Sequence, residues 1–184
     1  MKTVSKKIIL MLAIVFAVIF AAVVLINTDQ SNTSVTVEKH GSDCLPVVPF
    51  DQSRTLADQL DHSTANFAST SKEFNSGTTE GGVQITYDKD GIHQIVEQRF
   101  YKETGRSYAR IYYNSGKPFA LIVLNMQYKV PISVDNSGNV ESSEEQDYYL
   151  GVDGDVCNWI KNDTPQQVDQ NTNDMVKNFI YGVI

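Results

Sequence analysis

The chain has 184 residues, of which 41% are hydrophobic and 20% are charged, and its formal net charge is −7. This length accommodates one ordinary domain with an accessory segment and excludes a multidomain enzyme. The first 26 residues contain three of the 15 basic residues and no acid, so the remainder carries 12 basic against 22 acidic residues, a net charge of −10. Such an acidic domain argues against nucleic acid or an anionic membrane surface as its ligand, because both require basic patches.

The N-terminal segment carries the strongest pattern in the chain. Residues 8–26 form an unbroken run of 19 apolar residues, and about 20 apolar residues in a helix match a hydrocarbon core of about 30 Å. Lys2, Lys6 and Lys7 precede this run. The positive-inside rule therefore predicts a single-pass protein of the cell membrane, with a cytoplasmic tail over residues 1–7 and a transmembrane signal anchor in the lipid bilayer over residues 8–26. A cleaved signal peptide is the alternative, although its apolar region is usually about 7–15 residues and ends in a small-residue cleavage site.

The rest of the chain is predicted to lie outside the cytoplasm. Residues 27–43 are polar and lack apolar periodicity, which is typical of a linker, and residues 44–184 are predicted to form the extracytoplasmic domain. The two cysteines, Cys44 and Cys157, both fall in that domain. Two thiols in an oxidising compartment usually pair, so we predict a disulfide bond whose long loop would stabilise the fold by about 4–5 kcal/mol.

A helix is predicted at each end of this domain. The first would be capped by Asp51 or Ser53 and run to about Phe74, because its apolar residues recur every four and seven positions. The second would start at Thr164, where an N-cap threonine, a proline at the first helical position and a glutamine three residues after the cap combine. Both helices present an apolar stripe that can pack on a sheet.

The region between the two helices has the period of β-strands. From Gly81 onwards, runs of β-branched and aromatic residues alternate with glycine-containing turns at residues 88–91, 102–105, 114–116 and 135–138. This pattern predicts an antiparallel meander. The predicted fold class is therefore α+β: an N-terminal transmembrane helix, then a meander of about four to six strands packed with one preceding and one C-terminal helix.

Two short segments resemble known β-hairpin modules. Residues 100–106 and 112–117 both contain an aromatic pair, a short polar turn, a glycine and a basic residue, and they resemble the hairpins of MORN-type repeats in bacterial surface proteins. Residues 128–140 are similar to the hairpin of PepSY-like extracytoplasmic modules. Both resemblances imply a β-meander and bring no active-site residues with them.

The sequence contains no catalytic, cofactor-binding or metal-binding motif that we can assign. It has no His-Glu-x-x-His, no nucleophile elbow and no phosphate-binding loop. Asp58 and His62 lie four residues apart on the predicted first helix, a spacing that fits a solvated side-chain pair better than two metal ligands. The acidic turns at residues 88–91 and 153–155 lack the bidentate acid that completes a calcium loop.

Paired tyrosines are the candidate interface residues. Tyr112 with Tyr113, and Tyr148 with Tyr149, are neighbours on predicted strands, so one ring of each pair should lie on each face of the sheet. We therefore expect some of these rings to be exposed or covered only by helices, and exposed tyrosine is a frequent anchor of protein interfaces. The alternative is that all four belong to the core or to a cross-strand ladder.

We interpret the chain as a membrane-anchored extracytoplasmic binding or assembly module, not an enzyme, with an envelope protein as its partner and no nucleic-acid ligand. One alternative is a pilin-like or surface-filament subunit, since an apolar N-terminal helix followed by a β-rich head is also that architecture. A second alternative is a small envelope hydrolase, which would need an exposed pair of carboxylates.

Overall fold

The computed structural model of the protein describes residues 44–75, 81–134 and 138–183. The predicted tail, signal anchor and linker (residues 1–7, 8–26 and 27–43) lie outside these described residues. Within them, no helix is both long enough and apolar enough to cross a membrane.

The described residues are built around one antiparallel sheet of eight strands, in which each strand pairs with the next along the chain. The strands are β1 (Ala68–Asn75), β2 (Gly81–Lys89), β3 (Ile92–Lys102), β4 (Gly105–Asn114), β5 (Lys117–Tyr128), β6 (Val140–Leu150), β7 (Val156–Lys161) and β8 (Thr164–Gln166). The predicted meander is thus present, but the expectation of about four to six strands, and with it the predicted fold class, is wrong. The described part is predominantly a single sheet, with two helices added to it.

Tight turns explain why the strands pair with their neighbours. Four strand connections have two residues, and in three of them both residues have positive φ angles: Asp90 and Gly91, Ser115 and Gly116, and Asn162 with Asp163. Positive φ at both positions is the conformation of a type I′ turn, whose twist matches that of the flanking strands. The third of these turns contains no glycine, which is why the sequence pattern did not indicate β8.

The first helix is shorter than predicted. Helix α1 spans Phe50–His62, and after a single 3-10 turn at Thr64–Asn66 the chain enters β1. The predicted extension to Phe74 is wrong because residues 68–75 pair with β2 over their whole length. The serine and threonine residues of this segment have low helix propensity, and β pairing takes precedence.

The C-terminal helix starts later than predicted. Helix α2 spans Gln170–Val183, and the carboxylate of Asp169 accepts a hydrogen bond of 2.7 Å from the backbone N–H of Thr172. This is an N-cap interaction. Thr164, the predicted cap, instead opens β8. The helix packs against β7 and buries Val176 and Ile180.

The main described core lies between α1 and the sheet. Val48 and Ala57 pack there against buried residues of β3 to β6, namely Ile95, Tyr112, Phe119, Ala120 and Tyr149. We call this side of the sheet the α1 face. Along each strand, alternate residues point to the α1 face and to the opposite face.

The predicted disulfide bond between Cys44 and Cys157 is confirmed, with a Cα–Cα distance of 5.5 Å. It attaches the start of the described chain to β7. The same connection is reinforced by backbone hydrogen bonds from Val47 to Leu150 (3.1 Å) and from Val152 to Leu45 (2.9 Å). The segment that leads into α1 is therefore held against the end of β6 by both covalent and hydrogen bonds.

Candidate binding surface

The N-terminal half of α1 is attached to the sheet by an ionic cluster around Arg54. Its guanidinium donates hydrogen bonds of 2.8 Å to Glu145 and of 2.8 Å to Asp147, both on β6. Tyr149 donates a further bond of 3.1 Å to Asp147, and Asp58 forms an i,i+4 ion pair with Arg54. Burial raises the pKa of Asp147, while the charge of Arg54 opposes that rise.

The C-terminal end of α1 has a second ionic cluster. Asp61 accepts hydrogen bonds from Arg110 (2.8 Å) and from the Tyr112 hydroxyl (3.0 Å). Arg110 in turn donates to Glu97 (2.9 Å), which also accepts a bond from Arg99. Glu97 is only 1% exposed, and burying a carboxylate is costly unless it is paired and hydrogen-bonded in this way. These two clusters fix α1 on the sheet.

The strands β3 and β4 continue past this second cluster and carry four side chains that we call the arginine–tyrosine block: Arg99, Tyr101, Arg106 and Tyr108. Arg99 lies directly opposite Tyr108, and Tyr101 lies opposite Arg106. Because residues two apart on a strand share a face, the block lies on the same face as Glu97, which is the α1 face. Arginine and tyrosine thus alternate both along each strand and across the strand pair.

Neighbouring side chains hold Arg106 in place. Its Nε–H points to the sulfur of Met126 at 3.1 Å, and its guanidinium carbon lies 5.6 Å from the centre of the Tyr108 ring. This is within the range of a cation–π contact. On β5, Leu124 lies opposite Tyr108 and Met126 lies opposite Arg106. The block therefore has an apolar flank.

The block is accessible and contains one arginine that has no carboxylate partner among the described residues. Tyr101 is 43% exposed, and the Arg99 side chain is 32% exposed. Of the four arginines in the chain, Arg54, Arg99 and Arg110 have carboxylate partners, whereas Arg106 has none among the residues that the structure describes. Arg106 therefore leaves one guanidinium at this end of the α1 face without a described carboxylate partner.

The four tyrosines predicted as interface candidates do not lie at this surface. Tyr112, Tyr113, Tyr148 and Tyr149 are only 2–4% exposed. None of these rings is therefore exposed, and the other part of the expectation, that helices cover them, fits the contacts of α1 with Tyr112 and Tyr149. Burial raises the pKa of Tyr113 to about 12, and it raises the pKa values of the other three as well. All four stay protonated at neutral pH. A contact role for these residues stays a prediction.

Two of the residues that the sequence analysis considered as metal ligands, His62 and Asp155, have other partners. His62 contacts the backbone carbonyl of Asp58 (2.6 Å), and Asp155 accepts from Asn173 (2.6 Å) and pairs with Lys177 (2.5 Å). Asp155 also lines a cleft of about 170 Å³ beside the disulfide bond. In the described ranges of the chain, no three acidic, histidine or cysteine side chains are grouped as metal ligands would be.

No protein-family model, no curated protein and no solved structure matches the chain.

Sequence reasoning missed the arginine–tyrosine block, although a signal for it is present. Arg-x-Tyr occurs at residues 99–101 and again at residues 106–108, on either side of a predicted hairpin turn. A two-residue turn places two such triplets in antiparallel register and on one face. The net negative charge of the whole domain does not reveal this local concentration of arginine.

Proposed function

We propose that this protein is an extracytoplasmic binding module, attached to the cell membrane by residues 8–26, that recognises an envelope protein through the arginine–tyrosine block. The observation that carries the proposal is an accessible surface with an arginine that has no described carboxylate partner, in a chain whose residues 27–184 have a net charge of −10. Surface arginines in such a domain would ordinarily be neutralised by the acids around them. Arg106 has no carboxylate partner among the described residues.

The disulfide bond supports the extracytoplasmic location. Cys44 and Cys157 are 113 residues apart and are joined in the structure, and structural disulfides persist in oxidising compartments. The lysines before residue 8 favour the same orientation. Protease added to intact cells or spheroplasts should therefore digest the domain while a cytoplasmic control protein survives, and protection of the domain would contradict this orientation.

The composition of the block supports a role in protein binding. Arginine, tyrosine and methionine are enriched at protein interfaces, and arginine and tyrosine are among the residues that most often dominate the binding energy. The block also lies on two paired strands, and Met126 and Tyr108 hold Arg106 in place. A side chain that is already ordered loses less conformational entropy on binding.

Site-specific crosslinking in cells tests the proposal. A photoreactive amino acid replacing Tyr101 in the full-length protein should give a discrete adduct, identified by mass spectrometry. The same amino acid replacing Tyr181, which is 57% exposed on α2, serves as the control and should not give that adduct. The adduct should be lost in an Arg106→Gln background and kept in a Lys89→Gln background. Equal adducts from both positions, or an adduct unaffected by Arg106→Gln, would contradict the proposal.

A further inference from the structure

We infer that the ligand of the arginine–tyrosine block is an extended acidic protein segment that has two carboxylates two residues apart. This inference rests on the proposed function and adds the chemistry of the partner to it. It follows from three features of the α1 face: the spacing of the two arginines, the local balance of charge and the apolar flank.

The spacing of Arg99 and Arg106 matches an extended peptide. They are diagonal neighbours on paired antiparallel strands, since Arg99 pairs with Tyr108 and Arg106 with Tyr101. Diagonal neighbours lie about 7–8 Å apart. In an extended chain, residues two apart point to the same side and are separated by about 6.6 Å. An acid-x-acid segment can therefore present one carboxylate to each guanidinium.

The balance of charge leaves capacity for such carboxylates. Glu97 accepts hydrogen bonds from both Arg99 and Arg110, and Arg110 also donates to Asp61, so these two guanidiniums already have two carboxylates. Arg106 has the sulfur of Met126 and the Tyr108 ring as its described contacts. A guanidinium has five N–H donors in a planar fork, which suits bidentate binding of a carboxylate. An incoming carboxylate can thus bind Arg106 without displacing an acid of the domain.

The apolar flank favours a protein segment over an anionic polymer. Leu124 and Met126 are half-buried beside the block, and the Tyr101 ring is largely exposed. Apolar side chains of a peptide can pack against these residues, whereas a chain of phosphates cannot.

Peptide binding to the full-length protein in a neutral detergent tests the inference. The probe is a fluorescein-labelled peptide of nine residues with a central Glu-x-Glu between leucines, and its control has Gln-x-Gln at the same positions. Anisotropy should show at least about tenfold tighter binding of the acidic peptide, equivalent to about 1.4 kcal/mol. That difference should shrink between about 0.1 M and about 1 M salt, as the Debye length falls from about 10 Å to about 3 Å.

Matched variants locate the binding site. Arg106→Gln should weaken binding of the acidic peptide about tenfold, and Arg106→Lys should have an intermediate effect because lysine keeps the charge but loses the planar fork. Lys89→Gln removes an exposed charge outside the block and should leave binding unchanged. Unchanged melting temperatures would show that each variant is folded. If Arg106→Gln lowers the melting temperature, Arg106→Met replaces it in the comparison of peptide binding with the wild type.

The outcomes separate this inference from the proposed function. If crosslinking at Tyr101 depends on Arg106 but both peptides bind equally, the acidic-segment inference is wrong and the proposed function stands. If inorganic polyphosphate displaces the acidic peptide at lower concentration than the unlabelled peptide does, the ligand is an anionic polymer and the inference is also wrong. If neither crosslinking nor peptide binding depends on Arg106, both proposals fail.

Discussion

Removal of the Cys44–Cys157 disulfide should destabilise the domain strongly. The two cysteines are 113 residues apart, and in the chain-entropy model a loop of this length restricts the unfolded chain by about 16 cal/mol/K, or about 5 kcal/mol at 25 °C. Domains of this size are stable by only about 5–15 kcal/mol. The doubly substituted protein Cys44→Ser/Cys157→Ser should therefore lose between a third and nearly all of its free energy of unfolding.

Urea unfolding of the full-length protein measures this loss. Trp159 is the only tryptophan of the chain, and its ring stacks on Tyr148 with a centroid distance of 5.6 Å, so its fluorescence reports the packing of β6 and β7. The midpoint should fall in the double variant, and the reduced wild type should unfold at the same urea concentration as that variant. A control substitution of an exposed residue, Lys89→Gln, should leave the midpoint unchanged.

A small loss would refute this reasoning. If the free energy of unfolding falls by less than about 1 kcal/mol, the crosslink does not restrict the unfolded chain as the loop-entropy argument requires. The hydrogen bonds of residues 45–47 to residues 150–152 would then hold the segment before α1 without the disulfide.

Three further predictions concern the parts of the fold that position the candidate surface. Glu97→Gln should lower the free energy of unfolding by about 3 kcal/mol because it removes the buried carboxylate that Arg99 and Arg110 share, whereas Arg99→Gln should lower it by less than about 1 kcal/mol; chemical denaturation measures both. Asp169→Ala should destabilise α2 by about 1 kcal/mol through loss of the N-cap. The hydrogen bond from the Thr172 backbone N–H lowers the pKa of Asp169. The stabilisation by this N-cap is therefore fully present above the ordinary aspartate pKa and should disappear as the pH falls through the lowered pKa of Asp169. Thermal melts at several pH values would show this loss. Gly105→Ala should destabilise the β4–β5 pair by about 1–3 kcal/mol, because its Cβ would meet a backbone carbonyl of β5, and hydrogen exchange of that strand pair would reveal this.

Each of these predictions has a clear contrary result. If Glu97→Gln and Arg99→Gln lower the free energy of unfolding equally, the burial of Glu97 does not determine how much the second ionic cluster stabilises the fold. A constant difference between wild type and Asp169→Ala across acidic pH would mean that the charged carboxylate is not the cap. Unchanged exchange rates in Gly105→Ala would mean that the strands can separate locally without loss.

Local signals in the sequence were sufficient to predict the meander and the disulfide bond. Glycine at a turn position, as in Gly91 and Gly116, marks a hairpin because positive φ is easily adopted there. The cysteine pair followed from the number of thiols and their placement on one side of the apolar run. These signals depend on a few adjacent residues or on a count, so no knowledge of the tertiary fold was needed.

The features that were missed depend on pairing between strands. Residues 68–75 and 164–166 are polar, and only their partners β2 and β7 make them strands. The burial of the four paired tyrosines, including Tyr112, depends on which helix covers each face of the sheet. Alternation along a single strand cannot show this. The arginine–tyrosine block likewise exists only when β3 and β4 are in register.

The most direct test of the proposed binding surface compares the reactivity of tyrosines in the purified protein and in the native envelope. Tyr101 lies in the block and Tyr181 lies on α2, and both are exposed. Oxidative footprinting read by mass spectrometry should show Tyr101 modified in the purified full-length protein and protected in intact cells, with Tyr181 modified equally in both. Equal modification of Tyr101 in the two settings would contradict the account, because it would mean that no partner covers the arginine–tyrosine block where the protein functions.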